Sequence, residues 1–242
     1  MIITLQTAQF IITIVSLLMA YFITITISNY VKARVALTFG DDTPEQLGFL
    51  TLNPLAHIDP IGLLFVCLFQ FGWARYIPIN PLNMRSPHRT LKTIITFLSN
   101  SFACIVLALA ALIGLMLIFN DKIINIACFM ILYQKLSYMI IASAYPTHSS
   151  VTVAIGTILI GIMYLSVVLS VLQAIINGVS LVMLFNSHRM NYHNIDKIML
   201  TALLILFVVL PLLGILDIVS LLRLFVVYII AFSGHALAAL IG

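Results

Sequence analysis

Charge is what this 242-residue sequence has least of: seven acidic and eleven basic residues, 7% of the chain, against 63% hydrophobic residues. A soluble domain carries about 25% charged residues, so an ordinary soluble fold is excluded. Disorder is excluded too, because it needs low hydrophobicity and high charge. The three cysteines, Cys67, Cys104 and Cys128, are an odd number without CxxC spacing, which points to neither a disulfide framework nor a cysteine metal site. They read as core or lipid-facing thiols. The net charge of +4 is small and its basic residues fall in short clusters between apolar stretches, so no nucleic-acid surface is indicated. The opening MIITLQTAQF lacks a basic flank, and the first apolar run is expected to be a retained span.

What remains is a chain whose solvent is lipid. We expect an all-α polytopic membrane protein, one membrane domain over 1–242, with about six transmembrane helices. Spans are expected over Ala8–Tyr30, Ile94–Phe119, Ile123–Tyr145, Met199–Leu216 and Ile218–Ile241. Val151–Phe185 is too long for one crossing, and Asn177-Gly178 is its expected break. Phe49–Pro81 is punctuated by Pro54, Pro60, Pro78 and Pro81, so a short or re-entrant element around Ile61–Phe71 is predicted rather than a straight helix. The loop from Arg75 to Lys92 carries Arg75, Arg85, Arg89 and Lys92 and no acidic residue, which marks it as cytoplasmic.

One region carries more than composition. GDDTPEQLGFLTLNPLAHIDPIGLLF, Gly40–Phe65, is followed by FGWARYIPINPLNMRSPHR, Phe71–Arg89. This array resembles the central region of site-2 proteases, intramembrane zinc metalloproteases of bacteria and archaea, in which a GDxTA…LTLNPLxHIDPxG stretch leads into GWA-K/R-P-V-P-V-N-P. The final LPLLGILD, Leu210–Asp217, is also similar. The resemblance implies the family's membrane fold, a bacterial cytoplasmic membrane and a transmembrane partner or substrate.

The same resemblance implies a site that has decayed. The family's chemistry needs HExxH, two metal ligands one helical turn apart with a general base between them. The corresponding register here holds Ser28, Asn29 and Lys32. Ser28 is a poor zinc ligand, Asn29 cannot act as base, and the ammonium of Lys32 would stand beside a dication. Such charges about 4 Å apart repel by several kcal/mol at an effective dielectric near 20. The family's Gly-Pro-x-x-Asn has become Thr96 to Asn100, retaining Asn100, and the region Ile176–Asp196 lacks the family's Pro-Leu-Asp-Gly.

The implied role is therefore a pseudoprotease without cofactor that binds or scaffolds a transmembrane partner or oligomer among membrane lipids. Two alternatives stay open: a divergent active zinc protease with substitute ligands, and a transporter or channel subunit supported by Lys135 inside an apolar span. Asn53, Pro54, His57, Asp59 and Pro60 are expected to hydrogen-bond a non-helical backbone at membrane depth rather than hold metal. His188, His193 and Asp196 read as a solvated loop, and Asp217 as an end-of-helix residue. Trp73, Tyr76 and Tyr30 are expected as interfacial anchors.

Overall fold

The computed structural model describes residues 2–70, 72–85, 87–120, 122–133, 137–186 and 218–241. Among these the protein is all-helical, and the only ladder contact is an isolated antiparallel bridge between Ile58 and Ala74. Helix α1 spans Ile2–Phe39, α2 Thr43–Gln46, α3 Pro60–Phe69, α4 Arg89–Phe119, α5 Lys122–Leu132, α6 Tyr138–Ala144, α7 Ser150–Asn186 and α8 Ile218–Ile241. Among the described residues, three helices contain stretches long and apolar enough to cross a membrane: Phe10–Phe39, Arg89–Phe119 and Ser150–Val182.

Helix α1 is longer than the expected Ala8–Tyr30 span. The polar stretch from Val31 stays helical to Phe39, because Lys32 and Ala36 are buried and face other helices rather than solvent. A Schellman turn ends it: the amide of Gly40 donates to the Leu37 carbonyl and that of Asp41 to the Ala36 carbonyl, both at 3.0 Å. Gly40 takes the φ of +101° that this geometry requires.

Helices α1, α4 and α7 pack on one another, with α7 the most enclosed. In lipid there is little hydrophobic drive between helices, so close packing and interhelical hydrogen bonds must hold them. Ala103, Ala108 and Ala111 of α4 supply small contact residues, and Tyr21, Ile25, Leu115, Leu165 and Val168 fill the seam. The expected break at Asn177-Gly178 is absent, since α7 runs unbroken for 37 residues, about 55 Å. A glycine inside a helix costs only about 1 kcal/mol, and the Asn177 side chain is engaged across the bundle instead of with its own backbone. The expected Ile123–Tyr145 span is two helices, α5 and α6. Ser137 caps α6 by accepting a hydrogen bond from the Met139 amide, which starts a new helix there.

The Pro-rich region is a chain of Asx-Pro caps. Asn53 caps a short 3-10 turn at Pro54, Asp59 caps α3 at Pro60, and Asn80 caps another 3-10 turn at Pro81. Each proline supplies a fixed φ at a position whose N–H would be unpaired anyway. The chain after α3 approaches the helix so closely that a Cβ on Gly62 would lie 2.2 Å from the Trp73 carbonyl oxygen, and one on Gly72 would lie 2.2 Å from that of Gly62. Trp73 is buried against Phe65, ring centroids 4.8 Å apart, and so does not serve as the expected interfacial anchor.

Candidate functional site

Ser28, Asn29 and Lys32 lie within about one turn of each other in the C-terminal part of α1, and all three are buried. Lys32 is 2% exposed. Its Nζ donates to Asn177 Oδ1 on α7 at 3.0 Å, and Asn177 Nδ2 donates to Asn100 Oδ1 on α4 at 3.0 Å. Asn100 Oδ1 also accepts from the Ser101 amide at 3.0 Å. With its oxygen committed to two donors, Asn100 holds the Asn177 amide so that an oxygen, not an NH2, faces the Lys32 amine.

Among the described residues, two aromatic faces also flank Lys32. Nζ lies 4.9 Å from the Phe97 centroid and 5.2 Å from that of Tyr76, within the distance at which a cation is attracted to a ring face. Tyr76 reaches this place because its segment is stapled to α1: Asn29 Nδ2 donates to the Arg75 carbonyl at 2.9 Å, and Tyr21 Oη to the Trp73 carbonyl at 2.7 Å. Ser28 donates to the Ile25 carbonyl at 3.3 Å and is also hydrogen-bonded to the Cys104 side chain of α4. A polar seam continues away from Lys32 through Cys104 Sγ and Gln173 Oε1, 3.6 Å apart, to the Thr24 and Ser166 hydroxyls, 3.4 Å apart.

The segment around His57 joins the site through Arg75, whose amide bonds His57 and whose carbonyl bonds Asn29. His57 is fully buried, with Nε2 2.8 Å from the Thr51 carbonyl oxygen and its own carbonyl accepting from the Arg75 amide at 2.9 Å. Burial lowers its pKa, the Thr51 contact opposing that only in part. With Nε2–H donating to Thr51, the neutral ring is the form that fits. Asp59 Oδ1 accepts from the Ile61 and Gly62 amides at 2.9 and 2.8 Å. Asp41 clasps two loops, Oδ1 accepting from Thr43 Oγ1 at 2.6 Å and Oδ2 from the Asn80 amide at 2.8 Å.

The structure thus brings Lys32 and Asn100 together with a residue that sequence reasoning assigned to a helix break, Asn177. The signal was available: an amide inside an apolar run needs a partner in lipid. Arg223, 8% exposed and hydrogen-bonded to Tyr164, is a second buried cation that the sequence reading passed over. Lys135, His188, His193, Asp196 and Asp217 lie outside the described residues.

Zinc is the cofactor that a protease reading would require, and the described residues around Lys32 do not fit it. The oxygens there are neutral carboxamides, the Lys32 amine shares the space, and no group of three or more His, Cys, Asp or Glu side chains able to hold a metal occurs among the described residues.

The chain is similar to "Putative zinc metalloprotease YwhC" of Bacillus subtilis (strain 168), 41% identical over 71 residues. A site-2-protease-like relationship is supported. The match covers 29% of this chain and 32% of the relative, about a third of its length. No family model and no solved structure matches the chain.

Proposed function

We propose that this chain is a site-2-protease-like integral membrane pseudoprotease, which binds or scaffolds a transmembrane partner without cleaving it. The observation that carries the reading is the Lys32 contact. At the register where the resembling family places its second zinc-binding histidine, this chain puts an amine that donates to Asn177 and lies over Phe97 and Tyr76. An ammonium held in that position repels a divalent cation and offers no lone pair to it. Asn29, at the place of the general base, uses its amide to fix the Arg75 carbonyl.

The reading includes about six crossings in a bacterial cytoplasmic membrane, the Arg75–Lys92 loop lying on the cytoplasmic side. It also makes α3 a re-entrant element, because its 10 residues reach only about 15 Å and cannot cross a core of about 30 Å. The partner is a transmembrane segment, bound in the groove where an active relative would open its substrate helix.

The test is photo-crosslinking in native membranes, with a photoreactive amino acid placed at Ile27 on the exposed side of α1. The expected product is a discrete adduct with an intact integral membrane protein. A partner recovered as a fragment cut within its span, in amounts that depend on this chain, overturns the reading.

A further inference from the structure

We propose that the pocket around the Lys32 side chain is an ammonium-binding cage, with Lys32 as its resident, covalently tethered ligand. It takes an organic ammonium ion, R–NH3+. Among the described residues the cage has three walls, from three separate parts of the fold. Asn177 Oδ1 of α7 accepts at 3.0 Å, the Phe97 ring of α4 lies 4.9 Å away, and the Tyr76 ring of the segment before α4 lies 5.2 Å away. Ring faces are the negative side of an aromatic quadrupole and favour a cation over a neutral group of equal size.

The polarity of the Asn177 wall is set from behind. Asn100 Oδ1 accepts from both Asn177 Nδ2 and the Ser101 amide, so turning the Asn177 amide around would set an NH2 against the amine and a carbonyl against Asn100 Oδ1. The arrangement therefore selects a donor at the Lys32 position. A resident metal braces helices by drawing ligands from several of them onto one positive centre. Here the tethered ammonium braces α1 to α7 and α4 in that manner, which goes beyond the pseudoprotease reading and does not depend on any partner.

Chemical rescue tests the cage in the full chain held in lipid nanodiscs. Lys32→Ala removes the ligand and leaves the walls, so its thermal unfolding midpoint should fall several degrees below that of the natural chain. Propylammonium should raise the midpoint of Lys32→Ala in a saturable way, and 1-propanol, similar in size but uncharged, should not. Equal shifts from both, or none from propylammonium, overturn the proposal. Should Lys32→Ala fail to fold, a double-mutant cycle between Lys32→Met and Phe97→Leu replaces the rescue. The expected result is that Phe97→Leu lowers the midpoint much less once Lys32 is gone. Strictly additive losses contradict a cation held by that ring.

Discussion

Lys32 Nζ and Asn177 Oδ1 meet at 3.0 Å although 145 residues separate them in the chain. The contact joins the C-terminal part of α1 to the last third of α7, and Asn100 extends it to α4.

The first prediction concerns repair. The triple change Ser28→His, Asn29→Glu, Lys32→His supplies two ligands and a base on one helix face. Asn177 and Asn100 remain neutral amides, and no third anionic or imidazole ligand stands beside them among the described residues. Two histidines alone lack the set that lowers a zinc-bound water's pKa toward about 7. Cleavage of a transmembrane reporter by the triple variant should equal that of a control with Gln in place of the introduced Glu. Activity above that control means that a third ligand already exists.

A second prediction addresses the cap of α3. Asp59 accepts two backbone N–H bonds at 2.8 and 2.9 Å, and Asp59→Ala leaves both donors without that partner. Loss of an N-cap costs about 0.5–2 kcal/mol, so the variant should melt lower and yield less folded protein. Asp59→Asn, which keeps an acceptor oxygen, should recover most of the loss. Unchanged melting of Asp59→Ala would contradict a capping role.

How far these features could be read from the sequence differs from one to the next. The membrane class follows from the scarcity of charge, because a buried or lipid-facing surface is dictated residue by residue. The Asn53-Pro54, Asp59-Pro60 and Asn80-Pro81 pairs are local too, since an Asx side chain caps its own neighbours. Asn177-Gly178 misleads for the opposite reason: its short-range preference is to break a helix, and only the distant Lys32 and Asn100 decide that it does not. Trp73 misleads similarly, because the Gly62–Gly72 approach that buries it lies in the tertiary fold. The Ser137 cap that divides α5 from α6 is an ordinary cap hidden in an apolar run.

A third prediction follows from that approach. Gly62→Ala places a methyl group 2.2 Å from the Trp73 carbonyl oxygen, a backbone atom that cannot turn aside as a side chain would. The change should cost well over 1 kcal/mol as overpacking, and it should also loosen the Tyr21–Trp73 and Asn29–Arg75 ties. Limited proteolysis around residues 70–76 reads this directly: faster cutting than in the natural chain is expected, and equal rates would count against it.

The fourth prediction is a pH dependence. The folded-state pKa of His57 lies below its unfolded value, so the unfolded chain binds the proton more readily. The stabilisation from neutral His57 is thus complete above about pH 6.5 and is lost as the pH falls below that value, levelling off below the folded pKa. Melting midpoints measured from pH 7.5 to 5 should drop more steeply for the natural chain than for His57→Gln. Parallel curves would show that His57 does not contribute.

The central claim is that the place of a catalytic metal is taken by Lys32. Elemental analysis of the full chain, purified in detergent without chelator and supplied with zinc during expression, measures this most directly. The account predicts zinc well below one atom per chain, unchanged after dialysis against a chelator. One atom of zinc per chain, removed by the chelator, would contradict it.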